Sequence, residues 1–215
     1  MKGLQELIKG KDIIVIGVTG GVGCGKSTVL AFLEEKYNAS IYKADEIGHK
    51  VMEPGTGAYN AIVEYFGVEI LSEDKHINRK KLGEIVFNDD NKLEFMNSII
   101  HPAVEKYIIN GIWDEYINKH QKLFFIEAAL LIEAGYKSFC TELWYIHTDE
   151  SIRIRRLMES RGYTKDKCLS IISNQLLDEI FRINCDFVID NGNDFNITKN
   201  QIEKHMIFCY NITID

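Results

Sequence analysis

Residues Gly20 to Ser27 read Gly-Gly-Val-Gly-Cys-Gly-Lys-Ser, which satisfies the phosphate-loop pattern G-x-x-x-x-G-K-[ST] without a mismatch. Ahead of the loop stands Ile13-Ile14-Val15-Ile16-Gly17-Val18, an apolar β-branched run of buried-strand length. Behind it, Val29, Leu30, Leu33 and Tyr37 recur at helical spacing. Strand, glycine loop and helix in that order commit the chain to an α/β architecture. They also suit one chemistry: glycines let successive backbone N–H groups close around phosphate oxygens, and the helix N-terminus adds partial positive charge. Lys26 can reach the β- and γ-phosphates, and the Ser27 hydroxyl can ligate Mg²⁺. The loop therefore predicts binding of a nucleoside triphosphate.

The chain has 215 residues, enough for one α/β domain with a small insertion. A net charge near −7 argues against a general nucleic-acid binder. In so acidic a chain, any basic cluster is informative. Cys24, Cys140, Cys168, Cys185 and Cys209 are odd in number and widely spaced, with no C-x-x-C, so neither a zinc site nor a disulfide framework is expected. Cys24 stands inside the loop, where its first reading is simply that of a small residue; a second is that Lys26 and the loop amides activate it towards alkylating reagents. No apolar stretch approaches membrane-spanning length, and the run before the loop is too short for a signal peptide. A cytoplasmic protein without a membrane partner is expected.

Leu4, Leu7 and Ile8 suggest a short helix before the first strand. Ser40-Ile41-Tyr42 forms a second strand ending at Lys43-Ala44-Asp45. Residues 46–120 read as mainly helical, punctuated by Glu53 to Gly57, by Ser72 to Asn78 and by His101-Pro102. Lys122 to Ile126, Leu143 to Ile146 and Phe187 to Ile189 read as three further strands. Residues 151–182 read as two charged helices, and Thr198 is placed to cap a last helix carrying Ile202 and Met206. Short apolar strands separated by helices predict a mostly parallel sheet covered on both faces, with ligands at the carboxyl ends of its strands. The expected division is a core of 1–45, 121–150 and 183–215, a helical insertion at 46–120, and a lid at 151–182.

Asp45, Glu127, Asp149 and Asn191 all fall at predicted strand ends. Asp45 reads in two ways, as a carboxylate that orients an acceptor hydroxyl and takes its proton, or as a cap of the helix beginning near Glu46. Glu127 is a candidate to hold Mg²⁺ through water. Arg153, Arg155, Arg156 and Arg161 form the one dense basic cluster, four arginines in nine residues. On a lid they would fold over the triphosphate, with Arg156 and Arg161 closing on the transferred group and Arg155 left on the surface. Read as a solvated helix face they would pair with Glu150, Glu159 and Asp166. His49 and His101 lie in the insertion as candidate acceptor contacts.

Taken in order, these residues make the chain similar to the dephospho-coenzyme A kinase family. The resemblance runs from Val18-Thr19-Gly20 through the loop to Ala44-Asp45, Val51 to Gly55 and Phe66-Gly67. It continues through Asn78 to Gly83, His101-Pro102, Leu130 to Glu133, Gln175 and Asp186 to Asn191. It implies ATP- and Mg²⁺-dependent phosphorylation of the ribose 3′-hydroxyl of dephospho-CoA, on a five-stranded parallel sheet with helical insertion and lid. By matching position, Gly21, Val22, Gly23, Cys24, Gly25, Lys26, Ser27 and Thr28 would hold ATP, with Asn191 near the adenine. Asp45 would be the base, and His49, Arg79 and His101 would belong to the acceptor domain. The chain departs from the family pattern at Lys43, where Asp is usual, at Ala129, where Pro is usual, and at Ser160, where Arg is usual. Another phosphate-loop nucleoside or nucleotide kinase, or a non-catalytic ATP-binding relative, are the rival readings.

Overall fold

In the computed structural model the described residues run from 10 to 213, so the expected helix bearing Leu4, Leu7 and Ile8 lies outside them. Five strands, β1 (Ile14–Thr19), β2 (Ser40–Lys43), β3 (Leu123–Glu127), β4 (Glu142–His147) and β5 (Phe187–Asp190), form one parallel sheet. Its order is β2-β3-β1-β4-β5. The central strands read as near-continuous apolar runs because helices cover both faces. Register is what positions function. Val18 pairs with Glu127, Thr19 with Tyr145 and His147 with Asp190, so the ends of β1, β3, β4 and β5 open along one edge.

The chain divides into two compact units, one carrying the sheet (up to Ile41 and from Gln121 onward) and one spanning Tyr42–His120. In the first, helix α1 (Lys26–Tyr37) buries Val29, Leu30, Leu33 and Tyr37, the stripe expected from periodicity. They join Ile16, Val18, Phe125, Trp144, Ile146 and Ile189 in one cluster. Further helices are numbered in chain order across both units. Residues 151–182, expected as two helices, belong to three: α6 (Glu150–Arg161), α7 (Lys165–Ser173) and α8 (Asp178–Asn184). At seven residues α8 is too short to show a helical period. It is held through tertiary contacts instead: Phe181 stacks on Tyr145 at 4.7 Å, and the Tyr145 hydroxyl donates to Asp178 at 2.8 Å. The last helix, α9 (Phe195–Tyr210), starts earlier than expected because Asp194 caps it, accepting from the Asn196 N–H at 2.8 Å. Asp is the stronger capping residue. Thr198 is buried one turn in, its hydroxyl 2.9 Å from Asn191 Oδ1.

The second unit holds α2 (Ala44–Lys50), α3 (Gly57–Phe66), α4 (Arg79–Phe87) and α5 (Asp90–Lys119). Thr56 caps α3 and Asn78 caps α4, accepting from Tyr59 and Lys81 N–H groups respectively. The break expected at His101-Pro102 does not occur, and Pro102 lies inside a continuous 30-residue helix. An interior proline costs about 3 kcal/mol. Packing offsets it from both sides. Val104, Ile108 and Ile112 are buried beyond it, each worth about 1.5–3 kcal/mol. Phe95, Met96, Ile99 and Ile100 pack before it on the cluster of Ile62, Phe66, Ile70 and Leu82. Among the described residues no helix is long and apolar enough to cross a membrane.

Candidate active site

The loop from Gly20 to Ser27 joins β1 to α1, and its last glycine is the N-cap of that helix. Gly25 has φ 89°, a left-handed conformation that a side chain would strain. A Cβ there would also stand 2.4 Å from the Asn191 amide nitrogen. Because glycine has no side chain, α1 begins without a side-chain cap, and its first turn carries no acid. The first turn of this 12-residue helix thus offers an anion its partial positive end, with the Thr28 N–H closed back on the Gly25 carbonyl at 3.1 Å. Ser27 and Thr28 are exposed at this mouth. The Lys26 ammonium donates to the Gly20 carbonyl at 2.8 Å and stands 3.8 Å from the Glu127 carboxylate. Lysine and strand-end acid thus meet at the head of β1 and β3.

Behind the loop, three donors converge on one carbonyl, that of Cys24. Asn191 Nδ2 reaches it at 2.8 Å, the Thr148 hydroxyl at 3.1 Å and Arg156 Nη1 at 3.4 Å. Arg156 Nη2 also donates to the Asn191 carbonyl at 2.8 Å. The structure therefore brings Arg156 and Asn191 to the loop as backbone tethers. Arg153, expected with its cluster either to fold over the triphosphate or to lie on a solvated face, is bonded to the loop as well, with Nε donating to Val22 O at 2.9 Å. Arg155 and Arg161 are exposed, and the Arg161 guanidinium lies 5.9 Å from the Tyr163 ring. Ser160 donates back to the Arg156 carbonyl at 2.6 Å. Thr148 carried no sequence signal, since its role lies in a backbone contact that no motif marks.

In the second unit Asp45 and His49 are both exposed on α2, one turn apart on the same face. The helix begins at Ala44 with Lys43 as its N-cap residue, so Asp45 lies inside the first turn and does not occupy the capping position. The Lys43 ammonium pairs with Glu46 at 3.0 Å. Arg79 is exposed at the start of α4, and His101 is half-buried in α5.

The expected activation of Cys24 is not found. Burial pushes its thiol up from the ordinary value, outweighing the nearby Lys26 charge and N–H group. The side chain is 1% exposed. Burial likewise pushes Cys140 up to about 12, whereas Cys209 is exposed. Iodoacetamide is therefore expected to label Cys209 first in the native enzyme, with Cys24, Cys140 and Cys168 protected until denaturant is added. Peptide mass spectrometry reads this directly. Labelling of Cys24 at the rate of Cys209, without nucleotide, would contradict it.

Among the described residues no group of three His, Cys, Asp or Glu could itself hold a metal ion. The Ser27 hydroxyl and the Glu127 carboxylate are oxygen donors of the kind a hard cation takes. The amide-rich, acid-free mouth of α1 likewise fits a polyphosphate.

Residues 14–196 match the sequence model of the CoaE family, dephospho-CoA kinase. The chain belongs to that family. A dephospho-CoA kinase from Lactobacillus johnsonii is 40% identical over 161 residues, covering 75% of this chain and 80% of the relative. One from Oceanobacillus iheyensis is 37% identical over 190 residues, covering 88% and 94%. The crystal structure of a Thermus thermophilus protein shares the fold with a TM-score of 0.75 at 22% identity, covering 92% of this chain and 98% of that one. Dephospho-CoA kinase from Campylobacter jejuni superposes with a TM-score of 0.65 at 25% identity, covering 90% and 96%. Family membership carries kinase activity and, with it, the use of ATP.

Proposed function

We propose that the chain moves the γ-phosphoryl group of ATP to the ribose 3′-hydroxyl of dephospho-CoA, through the residues assigned below. Dephospho-CoA kinase activity, the last step of coenzyme A synthesis, is that of its family. The observation that carries the residue assignment is the uncapped, acid-free start of α1 with Lys26 and Glu127 gathered beside it.

Gly21 to Thr28 form the phosphate cradle, with the Val22 N–H held by Gln175 and not by phosphate, and Asn191 lies on the adenine side. Lys26 exchanges the Gly20 carbonyl for β- and γ-phosphate oxygens. Ser27 and Glu127 hold Mg²⁺, which when bound neutralises charge on the β- and γ-oxygens. Residues 46–120 bind the acceptor, with His49, Arg79 and His101 contacting it. Asp45 orients the 3′-hydroxyl and takes its proton as the new O–P bond forms and the bond from the γ-phosphorus to the β,γ-bridging oxygen breaks, so that ADP leaves. Residues 151–182 act as the lid, where Arg156 and Arg161 offset the charge that develops on the transferred group. The small-molecule acceptor is the partner; the net charge of −7 supports neither nucleic acid nor membrane in that role. A cytoplasmic location suits these substrates.

An acceptor panel tests the reading. With Mg-ATP, dephospho-CoA is expected to give kcat/KM at least about a hundredfold above AMP or adenosine, because the acceptor unit contributes binding energy those fragments forgo. Phosphorus NMR of the product should place the phosphate on the 3′-oxygen. Equal turnover of AMP would favour a nucleotide kinase. Tight nucleotide binding with no acceptor-dependent ADP release would favour a non-catalytic relative.

A further inference from the structure

The two peptide planes that meet at Val22 are each held by a side chain from outside the loop. The Val22 N–H donates to Gln175 Oε1 at 3.1 Å, and the Val22 carbonyl accepts from Arg153 Nε at 2.9 Å. The two grips are joined, because Arg153 Nη2 donates to the same Gln175 oxygen at 2.5 Å. Arg153 comes from α6, and Gln175 from the segment linking α7 to α8. The guanidinium lies so close to the loop that a Cβ on Gly21 would stand 2.3 Å from Arg153 Nη2. Gly23 is similarly closed in, its absent Cβ 3.1 Å from the Arg153 carbonyl. Two glycines of the loop thus leave room for the arginine and its helix.

We infer that Arg153 and Gln175 are positioning residues for ATP: together they fix the two peptide planes flanking Val22 before nucleotide arrives, and so preset the amides that follow. This rests on the assignment of the loop to ATP phosphates. With one bond on each of the two planes that meet at Val22, neither plane can turn about the Val22 Cα without breaking either the amide bond to Gln175 or the charge-assisted bond from Arg153. The next amides, from Gly23 to Ser27, inherit that orientation through the chain. A pre-set cradle binds its ligand without first being ordered, so the benefit falls on nucleotide affinity rather than on the chemical step. Arginine suits the task because its rigid fork spans two acceptors at once, which a lysine ammonium on a flexible stem does not.

Gln175→Leu removes the shared acceptor at similar volume. It is expected to raise KM for ATP, and the Kd of a non-hydrolysable ATP analogue measured by calorimetry, about tenfold. kcat should stay within about threefold and KM for dephospho-CoA should not change. Gln175→Glu keeps an acceptor facing both donors and should restore the Kd to within about twofold of wild type. Arg153→Lys should resemble Gln175→Leu. An unchanged analogue Kd in Gln175→Leu would overturn the inference, as would equal damage to both substrates that Gln175→Glu fails to repair. Should Gln175→Leu fail to fold, amide exchange in the unaltered, nucleotide-free enzyme decides: the Val22 N–H must be protected, and exchange at the rate of an exposed amide refutes the grip. The calorimetric and exchange readouts do not depend on turnover. Absence of dephospho-CoA kinase activity in the wild type would therefore sink the functional reading and leave this inference separately measurable.

Discussion

Lys26→Met is expected to lower kcat/KM for ATP by about a thousandfold, the scale seen when a fixed cation or donor is removed from a phosphoryl or acyl transfer site. The lysine and its acidic neighbour are both sheltered, with side chains 15% exposed for Lys26 and 23% for Glu127. The lysine charge is therefore only partly screened by water. That charge rests on the Gly20 carbonyl and beside Glu127, where it can exchange an uncharged acceptor for anionic phosphate oxygens. Methionine keeps the stem and its packing but brings no charge. Most of the loss should fall on kcat, since charge on the leaving β,γ-bridging oxygen grows towards the transition state. Lys26→Arg is expected to rescue little, because a planar fork does not fit where a compact ammonium rests on the loop's own carbonyl. Steady-state kinetics with calorimetric ATP binding checks this, and a loss of less than tenfold in kcat/KM would remove Lys26 from the chemistry.

The strands, the buried face of α1 and the placing of acids at strand ends were legible because each depends on local pattern. The apolar run ending at Val18, the 3.6-residue recurrence from Val29 to Tyr37, and the glycines of the loop all declare themselves within a short window. What escaped was decided by tertiary contact. Pro102 reads as a break, but the stripe of Val104, Ile108 and Ile112 carries α5 through it. Helix α8 exists through Phe181 on Tyr145 and Asp178 beneath the Tyr145 hydroxyl, which no sequence period announces. Cys24 was read from its charged neighbours, and burial overrode them. The site followed the same rule. Lys26 and Ser27 stand in a marked motif, so a sequence reading can single them out. Thr148 went unmarked, while Arg153 stood in the basic cluster and Gln175 in the family resemblance without their bonds to Val22, because a backbone partner leaves no trace in sequence.

Asp45→Asn should separate chemistry from binding most sharply, with kcat falling about 10²- to 10⁴-fold and ATP affinity unchanged. Phosphoryl transfer passes through a loose transition state in which the attacking hydroxyl loses its proton late. The carboxylate is therefore needed first to aim the hydroxyl and then to accept the proton. Asparagine retains an oxygen to aim with and lacks the basicity to accept, so the substitution isolates the second task. The fold should tolerate the change, since Asp45 is exposed on α2 and its N-cap residue is Lys43. Lys43 is engaged with Glu46, so removal of the Asp45 charge leaves that ion pair standing. Because product release can limit turnover and mask a slowed chemical step, single-turnover measurement with saturating enzyme is the deciding assay. A rate of phosphoryl transfer within twofold of wild type would show that the hydroxyl gives up its proton elsewhere. A loss confined to KM for dephospho-CoA would make Asp45 an acceptor contact and not a base. A collapse of the single-turnover rate with ATP binding intact would leave proton transfer as the step this carboxylate performs.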